Sequence, residues 1–165
     1  MNIRSRVLLL VVIALAIVGC DQFTKSIAQA DLQEGIVHSF VGDTIRVQLA
    51  HNPGAFLSLG ASLSPQLRQA IWTVGVGVVL FLLLGYLLFA RTMDRSLLIA
   101  LALILSGGAS NLYDRIVYDG YVVDFLNVGV GWLRTGIFNV ADMAITGAAL
   151  MILYTAFRSG KAKTI

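Results

Sequence analysis

Four long apolar stretches limit what this chain can fold into more than any other feature of its sequence. They cover residues 7–20, 69–90, 96–113 and 137–157, and only the last of them contains a charged residue. A helix needs roughly 20 apolar residues to cross a bilayer, within a range of about 17–25. The last three stretches meet this length, and the first meets it only if its helix continues beyond Cys20. The sequence therefore predicts a membrane protein with several spans.

Composition excludes an ordinary soluble domain. Hydrophobic residues make up 58% of the chain and charged residues 13%, whereas soluble domains average about 25% charged residues. The single Cys and the two His are far apart in the sequence, so neither a disulfide nor a zinc site is predicted. The chain has no glycine-rich phosphate-binding motif, and its positive charges lie beside apolar stretches. We therefore expect no metal, no organic cofactor and no nucleic-acid partner.

The positive charges also predict an orientation. Lys and Arg are concentrated near the N-terminus, in the turn at 91–95 and in the C-terminal tail. Because segments rich in Lys and Arg stay in the cytoplasm, both termini and this turn are predicted to be cytoplasmic. The acidic residues other than Asp94 then lie on the outer side. We expect a single membrane domain over 1–165, with spans at about 7–25, 69–90, 96–113 and 137–157 and outer loops at 26–68 and 114–136.

The residues before Cys20 allow a second interpretation of the first stretch. A charged start, an apolar run and a small residue before a cysteine are typical of a bacterial lipoprotein signal. In such a signal the cysteine is lipidated and the chain is cut just before it. Alternatively the helix continues, since Asp21 and Lys25 have the i, i+4 spacing of a favourable helical pair. A lipid-anchored Cys20 followed by three spans would give the same topology, so both interpretations stay open.

The first outer loop contains a strand pattern. Apolar and polar residues alternate in TIRVQLAHN, residues 44–52, as expected for a half-buried strand. Pro53 and Gly54 follow and predict a turn. We expect a small sheet on the outer face of the membrane, next to a shorter second loop rich in Gly, Asp and aromatic residues.

Ionisable residues at membrane depth are costly and therefore indicate function. Asn111, Asp114 and Arg115 share one helix face at the outer end of the third span. An interfacial helix cap with an Asp–Arg pair is an equally good explanation of these residues. Gly107 and Gly108 are explained as well by close helix packing.

Two aspartates have apolar neighbours near the same outer face. Asp124 lies in the apolar segment VVDFL, where burial is costly unless the carboxyl group is paired or protonated. Asp142 begins the fourth span, where Asn139 and Asp142 could simply cap the helix. Two close carboxylates share a proton, and such a pair can activate water and polarise a carbonyl. An aspartic protease fits this pattern, and the alternatives are a carrier with a proton-binding Asp and a structural membrane subunit.

Five short motifs occur in order along nearly the whole chain. They are DQFTK at 21–25, NPGAFLSL at 52–59, SGGASNLYDRI at 106–116, VVDF at 122–125 and FNVAD at 138–142. Each motif is weak by itself, but the five in order are specific. Together they resemble the motifs of the lipoprotein signal peptidases (signal peptidase II), which are intramembrane aspartyl proteases.

The resemblance implies an all-α polytopic membrane protein with four transmembrane helices, a small extracytoplasmic β-sheet and a short periplasmic helical arm. It implies an endopeptidase that removes the signal peptide from diacylglyceryl-modified prolipoproteins by cutting before the lipidated cysteine, with no cofactor. The site would lie near the outer face of the bacterial cytoplasmic (inner) membrane. The expected partners are lipid-modified prolipoproteins and membrane lipids, and the enzyme is expected to be a monomer.

The resemblance also implies roles for individual residues. Asp124 and Asp142 would form the catalytic dyad that activates a water. The other implied residues, which would bind substrate or support the site, are Asn52, Gly54, Gly108, Asn111, Asp114, Arg115, Asn139 and Asp21. On this basis the residues before Cys20 are an ordinary part of the first helix that only looks like the signal of a substrate.

Overall fold

The computed structural model describes residues 1–54, 60 and 62–161. Its helices are α1 (Ile3–Asp31), α2 (Pro65–Arg68), α3 (Val76–Phe89), α4 (Arg95–Val117) and α5 (Val140–Lys161), and a π-helical segment, Gln69–Gly75, joins α2 to α3. By length and apolar composition, four helical segments are able to cross a membrane: Ile3–Asp31, Pro65–Phe89, Arg95–Val117 and Val140–Arg158. The predicted four-span architecture is confirmed.

The helix ends differ at several places from the limits of the apolar stretches. The first span was expected to end near residue 25, but α1 continues to Asp31. The third was expected to end at residue 113, but α4 continues to Val117 and takes in Asp114 and Arg115, which were assigned to the second outer loop. The fourth helix begins at Val140 rather than at residue 137. Polar residues at these outer ends are buried against one another, so the end of an apolar run does not end the helix.

Helix α4 is the central helix of the bundle. Of its most apolar 18-residue window, 39% is buried inside the protein, compared with 11% for each of the other three spans. Two glycines of α4 allow α5 and α3 to pack closely against it. A Cβ at Gly107 would lie 2.7 Å from the Ala141 carbonyl oxygen of α5, and a Cβ at Gly108 would lie 2.7 Å from Leu80 Cδ2 of α3. The close helix packing considered for these glycines is therefore present.

The end of the bundle opposite the sheet is held by leucines and one arginine. Leu10, Leu87 and Leu98 form a buried cluster between α1, α3 and α4. Arg6 is buried, and its Nη1 donates to the carbonyl oxygens of Ala90 at 2.6 Å and Leu87 at 3.2 Å. Because the last carbonyls of a helix have no partner within it, Arg6 caps α3.

An antiparallel sheet lies at the other end of the bundle. Its strands are β1 (His38–Phe40), β2 (Ile45–Asn52), β3 (Val122–Val130) and β4 (Leu133–Arg134), in the order β1-β2-β3-β4. Strand β2 coincides with the alternating segment, so that prediction is confirmed. The second outer loop is more ordered than expected, since β3 and β4 occupy much of it.

Pairing within the sheet brings β2 and the start of α5 to either side of β3. Ala50 lies opposite Asp124, and Asn52 opposite Val122. An isolated bridge joins Leu126 to Phe138, just before α5. The described residues between α1 and α2 contain no separate helix. Residues 55–59 and 61 lie outside the described part of the chain, so the periplasmic helical arm stays a prediction.

Candidate active site

Asp124 is buried where β3 crosses the outer end of the bundle. Residues 122–125 of β3 are all buried, and β2 pairs with this part of the strand. The Asp124 side chain is 1% exposed. It accepts hydrogen bonds from Asn52 Nδ2 at 3.0 Å and from Asn139 Nδ2 at 2.7 Å. The carboxyl group is therefore buried but hydrogen-bonded, as the apolar segment around it requires.

Asp142 lies in the first turn of α5, where it both caps the helix and faces the site. The Asp142 backbone N–H donates to Asn139 Oδ1 at 2.9 Å, and the Asn139 N–H donates back to Asp142 Oδ2 at 3.3 Å. This reciprocal pair has the form of a capping box, so the capping interpretation is confirmed. Asp142 Oδ1 also accepts from Asn111 Nδ2 of α4 at 2.9 Å, a bond that helix capping does not require.

Asn139 joins the two aspartates. Its Nδ2 donates to Asp124 and, at 3.1 Å, to Asn111 Oδ1, while its Oδ1 accepts from the Asp142 backbone. Burial raises the pKa of Asp124 to about 7, and the negative charge of Asp142 acts in the same direction. The hydrogen bonds from Asn52 and Asn139 oppose this rise only in part. Asp124 is therefore poised to exchange a proton near neutral pH.

Both carboxylates line one cavity of about 390 Å³. Its polar wall also includes Asn52, Asn111 and Arg115. The rest of the lining is mostly apolar or small and is formed by Trp72, Val76, Gly108, Val122, Ile145, Thr146 and Ala149. A mostly apolar cavity with a few convergent polar groups is the usual form of a binding site. The structure thus brings Asp124, Asp142, Asn52, Asn111, Arg115 and Gly108 to one cavity, with Asn139 buried between the aspartates.

The predicted turn after β2 also contacts this site. The Gly54 N–H donates to Asn52 Oδ1 at 2.9 Å, which closes a turn at Pro53 and Gly54. The Gly54 carbonyl accepts from Arg115 Nη2 at 2.9 Å, and Arg115 Nη1 donates to the Asn111 carbonyl at 3.2 Å. Arg115 therefore ties the turn to α4. The remainder of the NPGAFLSL motif, residues 55–59, lies outside the described part of the chain.

Asp114 has a different partner from the one that the sequence suggested. It lies beside Arg115 in the chain, but its ion-pair partner is Lys25, with Nζ 2.8 Å from Asp114 Oδ2. Lys25 Nζ is also 2.7 Å from Asp21 Oδ2. Asp21 and Asp114 are 0% exposed and Lys25 is 2% exposed. The interpretation of Asp114 and Arg115 as an interfacial ion pair is therefore wrong. Successive residues of a helix point in different directions, and Asp114 points into the bundle.

Asp21 and Asp114 connect this ion cluster to the two candidate catalytic segments. Asp21 Oδ1 accepts from the Ala141 backbone N–H at 2.9 Å. Asp114 Oδ2 accepts from the Val123 N–H at 3.1 Å. Each therefore holds the residue just before one of the two candidate catalytic aspartates, and its supporting role stays a prediction.

The sequence analysis missed two residues: Lys25, which lies in the supporting ion cluster, and Trp72, which lines the cavity. Lys25 was considered only as a helical partner of Asp21, although the DQFTK motif contains it. Trp72, in the π-helical segment, lines the cavity, and the sequence contained no signal for it. Among the described residues, no three His, Cys, Asp or Glu side chains come together as they would to hold a metal ion.

Comparison with known proteins decides the family. The profile of the family described as "Signal peptidase (SPase) II" matches residues 13–158 of this chain. The chain belongs to the signal peptidase II family. As a member of this family it is an aspartic-type peptidase, and it is a multi-pass protein of the bacterial inner membrane. The carrier and the structural subunit are thereby excluded as its main function.

Relatives of the signal peptidase II family match most of the chain. The lipoprotein signal peptidase of Burkholderia mallei (strain SAVP1) is 34% identical over 146 residues, covering 88% of this chain and 86% of that protein. The lipoprotein signal peptidase of Rhodococcus jostii (strain RHA1) is 37% identical over 159 residues, covering 92% of this chain and 74% of that protein.

Two solved structures, both described as a bacterial membrane enzyme, share the fold of this signal peptidase II family member. The first has a TM-score of 0.79 and 23% sequence identity, and the match covers 93% of this chain and 90% of the chain in that structure. The second has a TM-score of 0.74 and 23% sequence identity, and the match covers 89% of this chain and 91% of the chain in that structure. Helices and sheet are therefore arranged as in known membrane enzymes.

Proposed function

We propose that this protein removes the signal peptide from diacylglyceryl-modified prolipoproteins by cutting just before the lipidated cysteine. Asp124 and Asp142 form the catalytic dyad. The observation that carries the proposal is that both carboxylates line one cavity, where the side chain of Asn139 bonds the Asp124 carboxylate and the Asp142 backbone N–H. Family membership supports the reaction class, and the names of the relatives support the substrate class.

The dyad activates water through a shared proton. One carboxylate is ionised and takes a proton from water, while the other is protonated and donates a hydrogen bond to the scissile carbonyl. A pair of neighbouring carboxylates favours this singly protonated state, because two negative charges are costly at close range. The hydroxyl adds to the carbonyl carbon, and the C–N bond of the resulting tetrahedral intermediate then breaks as the proton taken from water goes to the leaving amine. These steps are complete without a metal or cofactor.

A lipid-bearing substrate needs an apolar surface beside the dyad. Asp142 lines a second cavity of about 390 Å³, whose mostly apolar wall includes Phe138, Met143, Gly147 and Leu150. Met143 and Leu150 are exposed on α5, on the surface that would face lipid in a membrane. The diacylglyceryl group lies against this second cavity while the peptide occupies the first.

The site faces the outside of the cell and the enzyme acts as a monomer. The sheet and the dyad lie at the end of the bundle opposite the turn that contains Arg91 and Arg95, which the distribution of positive charge assigns to the cytoplasm. A single chain supplies both carboxylates and the polar side chains around them.

The test compares Asp124→Asn and Asp142→Asn with the unchanged protein in detergent, using a diacylglyceryl-modified precursor. Each variant keeps the size of the side chain but cannot take or give the proton, so turnover should fall by at least about 10³-fold. Thermal unfolding checks that both variants are folded. The same precursor without its lipid should not be cut, and EDTA should leave turnover unchanged. Turnover within tenfold of the unchanged protein in either folded variant would remove that residue from the mechanism.

A further inference from the structure

The Lys25 ammonium group uses its hydrogen-bonding capacity on three buried partners. Its Nζ lies 2.7 Å from Asp21 Oδ2, 2.8 Å from Asp114 Oδ2 and 3.0 Å from Asn111 Oδ1. An ammonium group has three N–H donors and no acceptor. Lys25 is 2% exposed, so solvent does not compete for these donors. Two of the bonds form an ion cluster, and the third ends on a side chain of the candidate active site.

The third bond determines which way the Asn111 amide points. Asn111 Oδ1 accepts from Lys25 Nζ and from Asn139 Nδ2, which leaves Asn111 Nδ2 to donate to Asp142 Oδ1 at 2.9 Å. The opposite orientation would place the amide NH₂ against two other donors and the amide oxygen against a carboxylate. That orientation would cost Lys25, Asn139 and Asp142 one hydrogen bond each and would set like groups against one another, which is costly.

Both aspartates depend on this orientation. Asn111 Nδ2 contacts Asp142 directly, and Asn111 Oδ1 accepts from Asn139 Nδ2, which also donates to Asp124 Oδ1 at 2.7 Å. One continuous chain of hydrogen bonds therefore runs from Lys25 through two asparagine amides to both carboxylates.

We infer that Lys25 is a positioning residue for the reaction: by fixing the Asn111 amide, it sets the placement of Asp142 and, through Asn139, of Asp124. This inference rests on the proposed function, because it concerns the same dyad. Lys25 lies outside the cavity lining and touches neither aspartate of the dyad in the contacts described above. It therefore acts on turnover rather than on substrate binding.

The charge of Lys25 gives the inference a second measurable consequence. The positive charge of Lys25 lowers the pKa of Asp124, against the upward effect of burial and of Asp142 on α5. The other groups around Asp124 are the neutral Asn52 of β2 and Asn139, together with Arg115, which lines the same cavity from α4. Loss of Lys25 should raise the pKa of Asp124, so the acidic limb of the pH–kcat profile should move to higher pH.

The experiment measures kcat, KM and the pH profile of Lys25→Met on the full chain in detergent, with the lipid-modified precursor. We expect kcat to fall by about 10²-fold, the scale of a misplaced catalytic group, with KM within threefold and the acidic limb at higher pH. Lys25→Arg keeps a charged donor and should recover part of the lost kcat.

The matched control is Ser110→Ala. Ser110 is fully buried and donates to Asp21 Oδ2 at 2.7 Å, but it is not bonded to Asn111.

Ser110→Ala perturbs the same cluster and should lower the unfolding temperature without changing kcat or the pH profile. If Lys25→Met changes only the unfolding temperature, as the control does, the inference is wrong. Should Lys25→Met fail to fold, the double variant Asp21→Asn/Lys25→Met keeps the net charge of the cluster and leaves Asp114 intact. Unchanged kcat in that folded double variant would overturn the inference, and a kcat well below that of Asp21→Asn alone would support it.

A readout that needs no activity separates this inference from the proposed function. Side-chain amide signals of ¹⁵N-asparagine-labelled protein should show Asn111 protected from solvent exchange in the unchanged protein and in Ser110→Ala, but not in Lys25→Met. Protection that survives in Lys25→Met would contradict the inference even if the precursor is never cut. If the unchanged protein does not cut the precursor but Asn111 loses its protection in Lys25→Met, the proposed function is refuted and this inference is not.

Discussion

At the scale of single residues, asparagine amides allow the buried Asp124 and the half-buried Asp142 to line the same cavity. Asn52, Asn111 and Asn139 each donate through Nδ2 to Asp124 or Asp142. A neutral donor compensates a buried carboxylate without adding a full opposite charge, which would hold that carboxylate permanently ionised. The positive charge of Lys25 is held one amide away from the dyad. This arrangement lets Asp124 keep a proton near neutral pH.

The raised pKa of Asp124 predicts a pH dependence of stability. The pKa of Asp124 is about 7 in the folded protein, against 3.8 for an unperturbed aspartate. The folded state thus binds this proton more tightly than the unfolded state. The resulting stabilisation is complete below pH 3.8 and is lost as the pH rises through about 7. The unfolding temperature of the unchanged protein should therefore fall by several degrees relative to Asp124→Asn between about pH 4 and pH 8.

The difference between the two unfolding curves isolates Asp124, because all other titrating groups are common to both proteins. Unfolding in detergent, followed by intrinsic fluorescence, gives both curves. Parallel curves over this pH range would show that Asp124 has an ordinary pKa.

At the scale of elements, the position of α4 determines whether the site can assemble. Helix α4 supplies Asn111, Asp114 and Arg115, and it packs against α1, α3 and α5. Its close approach to α5 depends on Gly107, where a Cβ would meet the Ala141 carbonyl oxygen at 2.7 Å. Ala141 immediately precedes Asp142, so a shift at this contact would change the Asn111–Asp142 bond.

We predict that Gly107→Ala loses both stability and activity. The added methyl group meets backbone, which cannot rotate away, so α4 and α5 must separate at an overpacking cost of roughly 1–3 kcal/mol. Turnover should fall at least about tenfold, since a small displacement of a catalytic group has a large effect. Thermal unfolding and precursor cleavage in detergent measure the two effects.

Gly85→Ala is the matched control for this prediction. Gly85 lies inside α3, and a Cβ there would have no neighbour within 4 Å. Because alanine favours a helix over glycine by roughly 0.5–1 kcal/mol, this variant should be at least as stable as the unchanged protein and fully active. Equal behaviour of the two variants would contradict the close-packing role of Gly107.

At the scale of the whole molecule, the first helix connects both ends of the bundle. Near its start, Arg6 caps α3 and Leu10 joins the leucine cluster. Near its outer end, Asp21 and Lys25 support the site. Cys20 lies within this continuous helix, and its side chain is exposed. Cleavage before Cys20 would remove the Arg6 cap and the Leu10 contacts together.

We therefore predict that the protein retains the residues before Cys20 and that Cys20→Ala is fully active. The intact mass of the purified protein should include residues 1–19, apart from any removal of the initiator methionine, and should contain no lipid. A mass that begins at a lipidated Cys20 would instead support the lipoprotein-signal interpretation. Unchanged turnover of Cys20→Ala, measured on the same precursor, is the functional control.

The sequence by itself determined the features that depend on local composition. Apolar length specified the four spans, alternation specified β2, and the apolar neighbours of Asp124 and Asp142 marked both as costly carboxylates that required an explanation. The five motifs also indicated the family before any fold was known. Each of these properties belongs to one contiguous segment, so it can be recognised without knowing what that segment packs against.

The tertiary structure alone decided the partners of the polar side chains. It joined Asp114 to Lys25 rather than to the neighbouring Arg115, placed Asn139 between the two aspartates, and brought Trp72 to the cavity wall. It also extended α1 and α4 past their apolar runs, because buried ion pairs replace lipid contacts there. These contacts join segments up to 120 residues apart, as between Asp21 and Ala141. The direction of a side chain across such a distance is set by helix packing, which no local pattern specifies.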